Sequence, residues 1–141
     1  MRVLALDLGS KRIGVAVSDE LRMVARPLTA ILSRGRNADA AAIAGLVTEQ
    51  AAGLVLVGLP LPLSGAHGPQ AGKVRKFGDY LAAQLAVPVE YWDERFTTLE
   101  ASRLLTRSGV RPRDQRDQID SAAAAVLLQS YLNANAPRAD V

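Results

Sequence analysis

The amino-acid sequence predicts an α/β domain, a mixed sheet with helices packed on it, and three observations carry that expectation. Apolar runs of strand length and segments of helical periodicity follow one another in the order three strands, helix, strand, helix, strand, helix, helix. The 141 residues are 49% hydrophobic and 22% charged, a globular balance, and a chain of this size buries about two-thirds of the surface that its unfolded form exposes. It contains no cysteine, so a disulfide scaffold and thiol chemistry are excluded.

The first strand runs from Arg2 to Asp7, where Val3-Leu4-Ala5-Leu6 is a continuous apolar run bounded by charge and by Gly9. A second run, Ile13 to Ser18, follows a short connection of turn residues, so the two form a hairpin. Met23 to Leu28 is read as a third strand, placed at a sheet edge by Pro27. Asn37 to Ala52 is Ala-rich with Ile43, Leu46 and Val47 at helical spacing, and Gly53 is expected to cap it. Leu54 to Val57 reads as a strand apolar on both faces, as an inner strand is. A loop with three prolines and two glycines spans Leu59 to Pro69, long enough to suggest a functional role.

Gln70 to Leu85 is an amphipathic helix, with Val74, Phe77, Leu81 and Leu85 on one face and Lys73, Lys76 and Asp79 around the rest. Val87 to Trp92 is the next strand. Thr97 and Glu100 make a capping box for a helix to about Thr106 that stops at Gly109. The last helix opens near Asp117 and runs to about Leu132. A single domain over residues 1–135, with a short tail over 136–141, follows from this order.

Three acidic positions break the expected pattern. Asp7 ends a buried strand, and Asp93-Glu94 ends another at its carboxyl edge, where open α/β sheets place their sites. Asp120 heads a helical stripe of Ala123, Ala124, Leu127 and Tyr131, the stripe that should pack on the sheet. Plainer readings stand beside these: Asp7 as a turn-former, Asp93 and Glu94 as surface partners of Arg95, Asp117 as an N-cap and Asp120 as an acid favourable to the helix dipole. If the three carboxylates converge, each pair at ~4 Å repels by about 4 kcal/mol at an effective dielectric of 20, and the cluster needs a cation. His67 is the only histidine, so a His-based metal site is excluded. Oxygen ligands select Mg²⁺ or Mn²⁺, and two such ions about 3.5–4 Å apart are the standard means of in-line attack on a phosphodiester.

The chain carries 17 basic residues against 14 acidic ones, net charge +3. Fourteen of the basic residues are arginine and three are lysine, and arginine suits bidentate phosphate contacts. Arg103, Arg107, Arg111, Arg113 and Arg116 lead directly into Asp120, with only Asp114 opposing them. This segment reads either as a solvated loop or as a grip on a polyanion, to which Lys11 and Arg12, next to Asp7, would add. The apolar run after the N-terminus is too short for a signal peptide, and no stretch reaches the ~20 apolar residues of a membrane span. A cytoplasmic protein without membrane partners is expected.

The string Ala5-Leu6-Asp7-Leu8-Gly9-Ser10-Lys11-Arg12-Ile13-Gly14-Val15-Ala16 resembles the opening of the YqgF/RuvX family of RNase H-like nucleases. Three further blocks agree in order. Val57-Gly58-Leu59-Pro60-Leu61 with Gly65 and Gly68-Pro69 is similar to the family's central strand and loop, and Asp93-Glu94-Arg95-Phe96-Thr97-Thr98 to its acidic motif. Ile119 to Ala124, followed by Leu128-Gln129-Ser130-Tyr131-Leu132, is similar to its last helix. The loop departs from the family pattern, with Pro62-Leu63-Ser64 and Ala66-His67 replacing more polar residues around Gly65.

This resemblance implies an RNase H-like fold with a mixed five-stranded sheet flanked by helices. It also implies a metal-dependent nuclease site, serving either 5′-end maturation of precursor 16S ribosomal RNA or resolution of Holliday junctions. Matched by position, the catalytic and metal-binding acids are Asp7, Glu94 and Asp120, with Asp93 as a possible fourth. Lys11, Arg12, Arg95, Arg107, Arg111, Arg113 and Arg116 are the candidates for nucleic-acid contact, and structured RNA or branched DNA is the expected partner. A junction resolvase should be a homodimer, because it cuts two strands symmetrically, whereas an RNA processor works as a monomer or a homodimer. Two rivals remain: a nucleotide-binding relative of the actin-like ATPases and sugar kinases, suggested by Asp7-Leu8-Gly9 before a second strand, and a non-catalytic nucleic-acid module.

Overall fold

The computed structural model of the protein describes residues 1–60, 68–97 and 121–136. Its strands are β1 (Arg2–Leu8), β2 (Arg12–Ser18), β3 (Ala25–Leu32), β4 (Ala52–Leu59) and β5 (Val89–Asp93). Its helices are α1 (Arg36–Glu49), α2 (Pro69–Gln84) and α3 (Ala122–Ala134), and Glu94–Phe96 forms one 3₁₀ turn directly after β5. The strands make one mixed sheet in the order β3-β2-β1-β4-β5. The first three are antiparallel neighbours, and β1, β4 and β5 run parallel.

Alternation along β1 and β4 divides the core between two faces. Leu4, Leu6, Val55 and Val57 pack with Ile43 of α1 and Leu81 of α2. Val3, Ala5, Leu54 and Leu56 pack on the other face with Ala124, Ala125 and Leu128 of α3. Parallel strands need crossover helices, and covering both faces makes each inner strand apolar throughout, as the runs Val3–Leu6 and Leu54–Val57 are.

Three differences from the sequence reading have identifiable causes. The third strand is β3, shifted to Ala25–Leu32. The segment before it instead closes a turn in which the Asp19 carboxylate accepts from the N–H groups of Met23 and Val24, while Leu28 to Leu32 pair with Val15 to Arg12. Gly53 does not cap α1, because Ala51 takes the left-handed conformation there (φ 52°) and Gly53 lies inside β4. A Cβ at Gly53 would come within 2.8 Å of Met1 Cβ, so close packing explains that glycine. On α3, Ala123 is exposed; Ala124 and Leu127 are buried and Tyr131 half-buried as expected, and the buried face widens to include Ala125, Leu128 and Leu132. The helix expected after Thr97, the arginine-rich segment and the tail from 137 onward lie outside the described residues. Among the described residues, no helix is long and apolar enough to cross a membrane.

Polar side chains of α3 also tie it to the sheet. The buried Gln129 amide accepts from the Ala25 N–H (2.9 Å) and donates to the Met23 carbonyl (2.9 Å), so one side chain serves both polar groups where edge strand β3 begins. Replacing it with an apolar side chain of similar volume leaves the Ala25 N–H buried without this partner, which costs about 1–3 kcal/mol. Gln129→Met is therefore expected to lower unfolding stability by that amount in denaturant titrations. It should also speed hydrogen exchange at Ala25 more than at the centre of β1.

Candidate active site

Asp7 lies near the carboxyl end of β1, where both strand neighbours leave room. It pairs with Gly14 across the hairpin, and paired residues in an antiparallel ladder project from the same face, so no side chain stands beside the carboxylate on that strand. On the parallel side, Gly58 follows Val57, the partner of Leu6 in the β1–β4 ladder. A Cβ at Gly58 would come within 3.2 Å of Glu94 Oε1 and 2.9 Å of Leu127 Cδ2. Glycine there is what lets the Glu94 carboxylate lie over the end of β4. At the hairpin itself, a Cβ on Gly9 would come within 2.7 Å of the Arg12 carbonyl, which its own N–H engages. Only glycine permits so tight a turn.

The two acids that end β5 part company. Asp93 pairs with Leu59, whose side chain belongs to the α1/α2 core. Its carboxylate accepts from the Arg95 backbone N–H (2.8 Å) and from the Arg95 guanidinium (2.6–3.1 Å), which caps the 3₁₀ turn. Arg95 thereby holds the Asp93 carboxyl below its usual range. Glu94 is carried by the turn to the α3 face, where it meets Asp7. Burial first, then the Asp7 charge and a hydrogen bond with Asp7, then Asp93, push the Glu94 carboxyl above its ordinary value.

Two serines of α3 hold this arrangement in place. Ser130 Oγ donates to the Phe96 carbonyl (2.6 Å) and accepts, at 3.4 Å, from Trp92 Nε1, so it clasps both ends of the turn that carries Glu94. Ser121 Oγ accepts from the Val15 N–H (2.9 Å) at the register shift between β2 and β3, which fixes the start of α3 on the strand that pairs with Asp7. Sequence reasoning missed both, although Ser121, Gln129 and Ser130 are visible as polar residues in an otherwise apolar helix.

Of the residues singled out from the sequence, then, the fold brings Asp7 and Glu94 together and turns Asp93 toward Arg95. Lys11 and Arg12 are exposed on the β1–β2 hairpin. Asp120, Arg107, Arg111, Arg113 and Arg116 lie outside the described residues. Among the described residues, no three acidic or histidine side chains form a metal-binding group.

Comparison with known proteins adds to this geometry. The sequence profile described as "RuvX: Holliday junction resolvase" matches residues 1–134. The chain belongs to the RuvX family. Among RuvX relatives, a Chloroflexus aggregans protein is 47% identical over 132 residues, 94% of this chain and 93% of its own length. An Anaeromyxobacter dehalogenans protein is 47% identical over 137 residues, 97% of this chain and 100% of its own. Both are named "Putative pre-16S rRNA nuclease".

Solved structures outside RuvX share the fold. Thermus thermophilus RuvC in complex with a Holliday junction substrate aligns with a TM-score of 0.61 at 17% identity, over 98% of each chain. The fowlpox virus resolvase in its Holliday junction DNA complex aligns at 0.59 and 14%, over 97% of this chain and 100% of its own. With the five-stranded mixed sheet, these likenesses establish the RNase H-like fold.

The Glu94 shift has a measurable consequence. The folded protein retains a proton on Glu94 that the unfolded chain releases, so its effect is absent below the ordinary value of 4.5. Stability is then lost as pH rises from there through the higher folded value. In chelator-treated protein, Glu94→Gln should melt above the parent at neutral pH, with the gap closing toward pH 4. Thermal unfolding across that range reads it, and a variant less stable at pH 7 would contradict the assigned repulsion.

Proposed function

We propose that the protein is a metal-dependent nuclease that hydrolyses phosphodiester bonds, acting in 5′-end maturation of precursor 16S ribosomal RNA. The observation that carries this reading is the meeting of Asp7 and Glu94 at the carboxyl edge of the parallel strands, two facing carboxylates from separate elements. The RuvX relatives named for pre-16S rRNA support the substrate.

The donor set fits a hard divalent cation: the facing groups are carboxylate oxygens, and burial together with the facing Asp7 charge raises the Glu94 carboxyl above its ordinary value, a cost that a bound cation relieves. Asp7 and Glu94, with Asp120 as the third acid, would hold Mg²⁺ or Mn²⁺. When bound, such ions stabilise the charge that builds on the attacked phosphate. Support for Asp120 is its peptide bond to Ser121, whose hydroxyl is fixed on Val15. The chain's own residues do the rest. Gly58 makes room for the Glu94 carboxylate, the Ser130 clasp holds Glu94 in register with Asp7, and Asp93 orients Arg95 at the edge of the site. Lys11, Arg12 and Arg95, together with Arg107, Arg111, Arg113 and Arg116, would hold the phosphate backbone and position it.

A second reading, cleavage of four-way DNA junctions, is favoured by the family description itself. Matched structured RNA, linear DNA and junction substrates, with and without divalent metal, separate the two. The maturation reading fails if only junctions are cut, and the nuclease reading fails if nothing is. Asp7→Asn should abolish cleavage while the fold persists. Retention of more than about a tenth of the activity, ~1.4 kcal/mol of barrier, would remove Asp7 from the chemistry. Asp93→Asn should cost far less than Glu94→Gln, and the reverse order would exchange their roles.

A further inference from the structure

On the sheet face opposite Asp7, the β1–β2 hairpin and the first turns of α1 and α2 line a cavity of about 620 Å³ that is open to solvent. That volume falls within the roughly 300–1,000 Å³ typical of ligand sites. Its floor is apolar, formed by Leu8, Ile13, Val74 and the half-buried Phe77. Arg36, Lys73 and Lys76 stand around it, all exposed; none of them forms an ion pair among the described residues, and the Arg36 guanidinium lies over the Tyr80 ring at 4.5 Å. Two of the three lysines in the whole chain are thus at this one cavity. The lining acid among the described residues is Asp39. It is buried and committed elsewhere, accepting from the Ser33 hydroxyl (2.6 Å) and the Arg34 N–H (2.9 Å).

An apolar floor with an aromatic ring beneath a cationic rim matches a nucleotide, base inward and phosphates at the rim. A free metabolite and a segment of the substrate strand share that chemistry. The hairpin favours the strand, because Asp7 and Leu8 are consecutive residues of β1 and face opposite sides of the sheet. A single strand that crosses the sheet edge at Gly9 and Ser10 therefore runs from the carboxylates to the cavity. A base-paired strand has no free base to insert.

We propose that this cavity binds one unpaired nucleotide of the substrate strand flanking the cut, with Lys73, Lys76 and Arg36 on its phosphates and the base on Phe77. The proposal rests on the nuclease reading, but its test does not depend on cleavage. Backbone amide NMR of the full chain, metal-free, is titrated with an RNA trinucleotide, a DNA trinucleotide, a mononucleotide and inorganic phosphate. Either trinucleotide should shift Leu8, Ile13, Val74 and Phe77, more tightly than the mononucleotide and with phosphate reaching only the rim. The double variant Lys73→Ala/Lys76→Ala should weaken trinucleotide binding at least tenfold and flatten its log–log salt slope by about 1.4, each single-strand phosphate contact adding about 0.7.

On a cleavable substrate with an unpaired flank, the same variant should raise KM and spare kcat. A fully paired substrate should show no change. Shifts confined to Asp7 and Glu94, equal shifts from inorganic phosphate, or an unaltered salt slope would each overturn the proposal. Tighter binding of the mononucleotide would make the cavity a metabolite site instead. Loss of all cleavage with cavity shifts intact would overturn the nuclease reading and leave nucleotide binding at the cavity standing.

Discussion

The structure depends on the complete burial of the middle of β1. Val3 to Leu6 are 0% exposed, which requires a strand on each side and helices on each face. The antiparallel hairpin supplies one neighbour and the parallel crossover through α1 supplies the other. A strand so enclosed tolerates a charge only where the cover ends, and Asp7 sits at that boundary. Burying a carboxylate one turn of the pleat earlier would cost several kcal/mol without a partner, about the penalty for an ion in a low-dielectric core.

From that boundary the electrostatics follow. Asp93 ends β5 and Glu94 opens the 3₁₀ turn after it, and that turn sends the two acids to different surroundings. Asp93 finds a cation in Arg95 and is held ionised. Glu94 is partly buried and faces another carboxylate, and both push its carboxyl above its ordinary value. Adjacent residues of one type thus acquire opposite proton affinities, which reflect what each one faces. A pair of carboxylates at a sheet edge is strained without a counter-charge, and that strain is the physical basis for reading the edge as a cation site.

The third helix turns this edge into a defined geometry. Ser121 satisfies an N–H left over where β2 and β3 slip in register, Gln129 serves two polar groups at the start of β3, and Ser130 clasps the turn after β5. Each buried bond contributes roughly 1 kcal/mol net. Their greater effect is directional, because a helix held by apolar contact alone can slide, whereas three polar ties at separate strands fix its rotation and register. The acids at the ends of β1 and β5 are thereby held in relation to each other by a helix that carries neither.

The sequence by itself determined the α/β class, the inner strands and the family. Those follow from local pattern: apolar runs of strand length, helical periodicity, and four motif blocks in order. It also marked Asp7 and the Asp93-Glu94 pair, because charge at the end of an apolar run is visible without a fold, while the preference for Glu94 came from the family resemblance. Only the tertiary structure decided that Asp93 turns to Arg95, that Gly53 packs against Met1 rather than capping α1, and that the edge strand begins at Ala25. The cavity across the sheet from Asp7 was likewise unreadable, since its floor and rim come from three separate stretches of chain. Each of these outcomes depends on which residues meet across the sheet, and pairing distant segments is a property of the assembled fold that no local periodicity encodes.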